Sequence, residues 1–178
     1  MKIENLKEPK PAVKKRKKTA VDYAIEFAVK VVITIGVIAI LLIFVIGIHV
    51  NHSNSSYPMI KDGDLVVVWK IGEAANGEEV AYKSDGQIRF GRVVAKGGDV
   101  IDIRESYITV NDYGVTEDVV YPTSSEGSAI EFPYTVPEGS LFILNDFRED
   151  TNDSRSFGGV ALTEVEGKVI FLLRRRGI

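Results

Sequence analysis

The chain has 178 residues, and its 22 lysine and arginine residues against 25 aspartate and glutamate residues give a net charge of −3. That length suits one domain with a short appendage. Residues 1–50 hold nine basic and four acidic side chains, whereas the rest of the chain holds 13 and 21. Because the larger part is acidic, we expect no nucleic-acid binding, which requires a basic face. The chain has no cysteine and only His49 and His52 as histidines, so a disulfide framework and a cysteine nucleophile are excluded, and neither a metal nor a cofactor is expected.

An apolar run over residues 31–50, VVITIGVIAILLIFVIGIHV, predicts a transmembrane helix. Twenty residues at about 1.5 Å rise per residue cover about 30 Å, the thickness of the hydrocarbon core of a bilayer. A cleaved signal peptide has a shorter apolar region, about 7–15 residues, and ends in small residues. Residues 21–29 continue the pattern toward the N-terminus, so we predict one helix over residues 21–50.

The charges beside this helix predict its orientation. Residues 14–18, KKRKK, precede it, and no basic residue follows it before Lys61. The positive-inside rule then places the N-terminus in the cytoplasm and residues 51–178 outside the plasma membrane, with the lipid bilayer as a partner. Residues 1–20 are polar and basic, and we predict a disordered cytoplasmic tail.

Residues 51–178 form the predicted extracellular domain, which we expect to be mainly β. Short runs rich in β-branched and aromatic residues alternate with turn signals such as Asp85-Gly86 and Gly97-Gly98, without a convincing amphipathic helix. This spacing favours a barrel-like or sandwich arrangement. The predicted strands are 65–70, 78–83, 87–95, 99–103, 107–110, 129–136, 140–144 and 167–173.

Three short blocks carry the candidate chemistry. Residues 53–64, SNSSYPMIKDGD, would on composition alone be a linker with turns. They resemble the nucleophile motif of type I bacterial signal peptidases, Ser-x-Ser-Met-x-Pro-Thr-Leu-x-x-Gly-Asp. Residues 92–99, RVVAKGGD, and 145–155, NDFREDTNDSR, resemble two further blocks of that family, in the same order. The chain is identified as a member of this family, of the Gram-positive type with a single N-terminal span.

The resemblance implies a β-rich catalytic domain that cleaves exported precursors with small side chains at P1 and P3. It implies that Ser55 is the nucleophile and that Ser53 supplies a hydroxyl to the oxyanion. Thr151 matches a serine that orients the catalytic lysine. Asp153 and Arg155 match a structural ion pair beside the site, and Arg92 matches the arginine that follows the lysine.

The family's general base is a lysine, and Gly91 stands in its place. A serine hydroxyl is a poor nucleophile until a base removes its proton. Arg89 is near in sequence, but a guanidinium stays protonated. His52 lies three residues from Ser55, and imidazole is a common general base, although His52 has no matching role in the family.

Lys83 is a candidate replacement for the missing base. A tight turn at Asp85-Gly86 pairs Ser84 with Gln87, so Gly91 faces Val80 and Lys83 points to the other face. A one-residue bulge would bring Lys83 to the face of Gly91, where we expect the missing side chain to leave a void.

Two functions remain open at this stage. The first is an active serine endopeptidase that uses Ser55 and a relocated base such as Lys83. The second is a cleavage-impaired relative that acts as an assembly factor or chaperone for pilins, since signal peptidase-like proteins that lack catalytic residues occur with sortases in pilus gene clusters of Gram-positive bacteria. Gly91 favours the second, whereas the retained Ser53, Ser55 and Thr151 favour the first.

Overall fold

The computed structural model describes residues 18–117 and 121–174. Most of the predicted disordered tail, residues 1–17, lies outside the described residues. The chain divides into two compact units, residues 1–39 and residues 40–178.

The first element is the helix α1, Ala20–Phe44, which is long and apolar enough to cross a membrane. It begins in a cap where Thr19 N–H donates to Asp22 Oδ2 at 2.7 Å and Asp22 N–H donates to Thr19 Oγ1 at 3.4 Å. The predicted end at residue 50 is wrong by six residues. Ile46–Val50 forms a strand, β1, which pairs antiparallel with β2, Leu65–Trp69. An apolar run rich in β-branched residues is compatible with both helix and strand. Here the pairing with β2 makes residues 46–50 a strand.

The other elements follow in chain order and agree with the predicted mainly β fold class. They are β3 (Glu79–Ser84), β4 (Gln87–Lys96), β5 (Val100–Arg104), β6 (Tyr107–Val110), β7 (Tyr113–Gly114), β8 (Tyr134–Thr135), β9 (Ser140–Leu144), the short helix α2 (Ser154–Phe157), β10 (Val160–Ala161) and β11 (Val165–Leu173). A seven-stranded sheet has the order β1-β2-β11-β3-β4-β9-β10, and a four-stranded sheet has the order β7-β6-β5-β8.

Strand β4 separates two clusters of buried side chains in the larger sheet. Phe90 packs with Ile60, Val66, Val68 and Ala81. Val93 belongs to the other cluster, which also contains Val80, Tyr82, Leu141 and Ile143. Phe90 and Val93 are in different clusters because successive side chains of a strand point to opposite faces of the sheet.

Two of the unpaired strand edges among the described residues border the serine motif. Strand β1 ends the larger sheet and pairs only with β2. Strand β9 pairs with β4 from Arg92 to Lys96, which leaves the edge of residues 87–91 without a strand partner on that side. Both free edges border the cavity described next.

Candidate active site

A cavity of about 730 Å³ opens between these two edges. Its walls come from residues 48–53 with Ser55, from residues 87–90, and from Asp150 and Asn152 in the loop after β9. Ser53 and Ser55 therefore lie in the cavity, as does His52, whereas Lys83, Gly91 and Thr151 do not belong to its described lining. The cavity brings together only the nucleophile part of the predicted site.

Local hydrogen bonds hold the segment that carries Ser55. The buried Asn51 side chain donates to Ser53 O at 2.5 Å and to Lys61 O at 3.0 Å, which closes the loop between β1 and β2. Phe147 N–H donates to Ser55 O at 2.9 Å. The buried Ser56 hydroxyl donates to Phe90 O at 2.8 Å, so the segment is attached to the free edge of β4.

The hydroxyl groups of Ser53 and Ser55 are paired. Their oxygens are 3.1 Å apart, and Ser55 N–H donates to Ser53 Oγ, also at 3.1 Å. The Ser55 N–H is thus occupied by Ser53 Oγ, and it would have to exchange this acceptor for an oxyanion to act as the predicted oxyanion donor. A serine hydroxyl is not a base at neutral pH, so Ser53 cannot accept the proton of Ser55. No other hydrogen bond to Ser55 Oγ is found within residues 18–117 and 121–174.

The expected void at Gly91 is filled, which corrects that prediction. A Cβ atom at this position would meet Ile143 Cγ2 at 2.7 Å and Leu144 O at 3.0 Å. Ile143 is fully buried and lies on β9, which pairs with β4 from the next residue onward. The face of Gly91 is occupied by the aliphatic core, so a lysine stem has no room without a shift of Ile143.

Lys83 lies on the other face of the hairpin. The register runs regularly from Glu79 opposite Arg92, through Val80 opposite Gly91, to Ser84 opposite Gln87, which confirms the register predicted from the turn. The described hairpin has no bulge, and this was the condition for moving Lys83 to the face of Gly91. Its side chain is exposed, so the structure gives the relocated base no geometric support.

The loop after β9 is fixed by the predicted ion pair. Arg155 is fully buried and donates to both carboxylate oxygens of Asp153, at 3.0 and 2.7 Å. It also donates to Arg148 O and Asp150 O, each at 2.8 Å. The pair therefore stabilises the backbone that places Asp150 and Asn152 in the cavity wall. Thr151 lies between those two residues, and its Oγ1 would be 3.8 Å from a Cβ at Gly127.

Arg92 is the centre of a second buried group of charges. It makes two hydrogen bonds to Asp146, at 2.8 and 2.7 Å, and a third to Gly77 O at 2.7 Å. Glu79 lies 3.7 Å from the same guanidinium. Burial raises the pKa of Glu79 to about 8, and the Asp146 carboxylate adds to this effect while Arg92 opposes it.

Comparison with known proteins identifies the family. The family model described as signal peptidase, peptidase S26, matches residues 24–173. The chain belongs to the signal peptidase family. An inactive signal peptidase IA of Staphylococcus aureus (strain N315) is 25% identical over 156 residues, which cover 82% of this chain and 88% of the relative. Signal peptidase I of Bacillus caldolyticus is 27% identical over 155 residues, or 78% of this chain and 85% of the relative.

Two further matches cover a smaller part of this chain. Thylakoidal processing peptidase 1 of Arabidopsis thaliana is 29% identical over 137 residues, and the match spans 67% of this chain but only 39% of that protein. The solved structure of a signal peptidase I from Enterococcus faecalis V583 is 26% identical, with a TM-score of 0.49, and covers 56% of this chain and 99% of that chain.

In this signal peptidase homologue, sequence reasoning missed several residues of the site. Asn51 precedes the serine motif and Ser56 lies within it, and the sequence indicated a role for neither, although both are buried and polar. Asn145 is buried in the place where the family block has glycine, and its side chain donates to Asp150 O at 3.1 Å. Glu79 was also missed, because the sequence shows only that it follows Glu78 at the start of a predicted strand. A buried polar position can be recognised only once the sheet is assembled.

Proposed function

We propose that this signal peptidase homologue is a membrane-anchored protein that binds extended segments of exported proteins in the Ser55 cavity and is impaired in cleaving them. Pilins are one class of exported protein that fits this role, in keeping with the pilus-assembly function considered from the sequence. The observation that carries the proposal is the closed position at Gly91, where Ile143 and Leu144 O leave no room for a base.

The chemistry of the cavity supports impaired cleavage. Ser55 has a hydroxyl neighbour in Ser53 but no described carboxylate, amine or imidazole in hydrogen-bond contact. Loss of a general base typically lowers a rate by about 10²–10⁴-fold. A relative of similar length carries the name inactive signal peptidase IA, so loss of activity has a precedent in the family.

The free edges support binding. Residues 48–50 of β1 and residues 87–90 of β4 border the cavity, and neither has a strand partner on the cavity side in the described part of the chain. Unpaired strand edges bind extended peptides by adding a strand, and the side pockets then select side chains. Such binding does not depend on a base.

Active cleavage is the second candidate function, and one observation favours it. Ser53 Oγ and Ser55 N–H, the two groups expected to bind an oxyanion, lie 3.1 Å apart, and His52 lines the same cavity. The base would then have to be His52, His49 or Asp150, because the described part of the chain places no lysine in the cavity wall.

The test compares binding with cleavage in the same preparation. The full chain in detergent micelles is mixed with a fluorescent signal-peptide substrate, and binding is followed by fluorescence polarisation and cleavage by chromatography. We expect saturable binding that Ser55→Ala leaves unchanged, and cleavage at least about 10³-fold slower than by an intact Ser–Lys member of the family. Cleavage within tenfold of that enzyme, lost in Ser55→Ala, would overturn the proposal, and its loss in His52→Ala would identify the base.

A further inference from the structure

A second pocket, of about 370 Å³, lies against β11 and shares no lining residue with the Ser55 cavity. Its walls are apolar and come from Met59 and from residues 169–172. Its polar groups are Glu78, Glu79 and Arg92. Ile170 and Phe171 are each about half exposed, at 51% and 54%, so the pocket opens to the surface.

Glu79 is the unusual group in this pocket. The residue is 7% exposed, and neither carboxyl oxygen has a hydrogen-bond partner among the described residues. Arg92 lies 3.7 Å away, but its hydrogen bonds go to Asp146 and to Gly77 O. Both oxygens are enclosed, and a buried carboxyl group without a hydrogen-bond partner is unfavourable, so a donor that reaches Glu79 through the pocket would remove this cost.

The neighbouring charges are already matched. Arg92 is neutralised by Asp146 at 2.7 Å, and Glu78 lies 3.2 Å from the Lys168 amine. An ionised Glu79 is therefore one uncompensated negative charge at the base of an apolar pocket. A cation attached to an apolar stem matches both features.

We propose that this pocket binds the side chain of a lysine from a partner polypeptide, with its ammonium on Glu79 and its methylenes along residues 169–172. A guanidinium fits less well, because Glu78 is already paired with Lys168 and Glu79 alone cannot accept from most of its five N–H groups. The amine of an ethanolamine lipid carries a phosphate two carbons away, and that phosphate would lie beside Glu78 and Glu79. The lysine of a polypeptide has neither disadvantage.

The probe is Nα-acetyl-lysine methylamide, titrated into the full chain in detergent micelles by calorimetry at pH 9, where Glu79, with its pKa raised to about 8, is mostly ionised. The norleucine analogue has a similar apolar stem without the ammonium and is the matched control, and phosphoethanolamine tests the lipid source. We expect the lysine compound to bind at least about tenfold more tightly than either, because only it pairs a charge with Glu79 without adding an anion. Equal binding of the norleucine analogue, or tighter binding of phosphoethanolamine, overturns the proposal.

Two variants separate Glu79 from its neighbour. Glu79→Gln keeps the shape of the side chain and removes the charge, so it should abolish the preference for lysine, whereas Glu78→Gln should retain it. Circular dichroism shows whether each variant is folded. If Glu79→Gln is folded and still prefers lysine, the assignment fails.

Binding should also depend on pH in a defined direction. The groups that act on Glu79 are Arg92, Asp146, Arg148 and the Ser56 hydroxyl, with Glu78 and Lys168 at the rim. Since its pKa is raised to about 8, Glu79 is about one tenth ionised at pH 7 and about nine tenths at pH 9, which predicts an affinity gain of about tenfold. A flat profile, or a fall, contradicts the pairing.

A truncated variant tests whether the chain's own C-terminal residues occupy the pocket. Arg174 donates to Met59 O at 2.9 Å at the pocket wall, and Arg175 and Arg176 follow it in the sequence. A variant without residues 175–178 should bind the lysine compound as the full chain does. Markedly tighter binding by that variant would identify the chain's own basic residues as the occupant and overturn the proposal of a partner.

Discussion

The nucleophile side of the candidate active site (residues 51–56) and its base side (residues 87–92 with β9) are held in different ways. On the nucleophile side, Ser53 and Ser55 keep a 3.1 Å contact that short-range hydrogen bonds from Asn51 support. On the base side, Ile143 fills the face where Gly91 has no side chain. The comparison teaches that local hydrogen bonds can hold the predicted nucleophile in place while core packing fills the position predicted for its base.

Restoring the base side should give the largest effect. Gly91→Lys alone is expected to lower the free energy of unfolding by about 1–3 kcal/mol, because the stem overlaps Ile143, and to leave cleavage unchanged. In the double variant Gly91→Lys with Ile143→Ala, the stem gains room, and signal-peptide cleavage should rise by at least about 10²-fold. Ile143→Ala alone is the control and should give no gain in rate. An equal gain from Gly91→Lys alone would show that Ile143 does not block the site.

Loss of the buried ion pair should be the largest change in stability. Arg155→Met leaves Asp153 buried without its partner and frees the carbonyls of Arg148 and Asp150, so the free energy of unfolding should fall by about 3–5 kcal/mol. Arg104, about half exposed and paired with Asp102, is the matched control. Arg104→Met should cost less than about 1 kcal/mol. Denaturant unfolding measures both, and equal losses would contradict the structural role of Arg155.

The pH dependence of stability should carry the signature of Glu79. Its pKa is raised from 4.5 to about 8, so between these values the folded chain holds a proton that the unfolded chain has released. The contribution of Glu79 to the free energy of unfolding therefore falls as the pH rises through this interval and is constant above it. Glu79→Gln removes the contribution.

Thermal unfolding of the two proteins between pH 5 and pH 8 tests this sign. The melting temperature of Glu79→Gln relative to the parent chain should increase with pH. The partly exposed Glu78 provides the control, because Glu78→Gln should not show that increase. A difference for Glu79→Gln that is independent of pH would contradict the shifted pKa.

The smallest expected effect concerns Lys83. Its side chain is exposed and opposite Ile88 in a regular hairpin, so Lys83→Ala should change the free energy of unfolding by less than about 0.5 kcal/mol. Any residual cleavage should also be unchanged. If cleavage is lost while the fold is intact, the relocated-base hypothesis regains its support and the comparison of the two sides must be revised.

Local patterns were sufficient for much of the fold and part of the site. The runs at 65–70, 78–83, 87–95 and 140–144 became β2, β3, β4 and β9, because alternation and turn signals act over a few residues. The Asp85-Gly86 turn alone predicted the register of β3 and β4. By contrast, of the run at 129–136 only Tyr134–Thr135 is a strand. The reason is that only two residues of β5, Val100 and Ile101, pair with this run.

The sequence by itself therefore determined an apolar N-terminal helix, a mainly β domain and the Ser53–Ser55 motif, since each depends on neighbours a few residues apart. Only the tertiary structure decided that the helix ends at Phe44, that Ile143 closes the position of Gly91 and that Glu79 is buried without a hydrogen-bond partner. These outcomes depend on residues about 15 to 90 positions apart that meet when β2, β9 and β11 enter the sheet. Pairing and packing over such separations are not encoded in any local period.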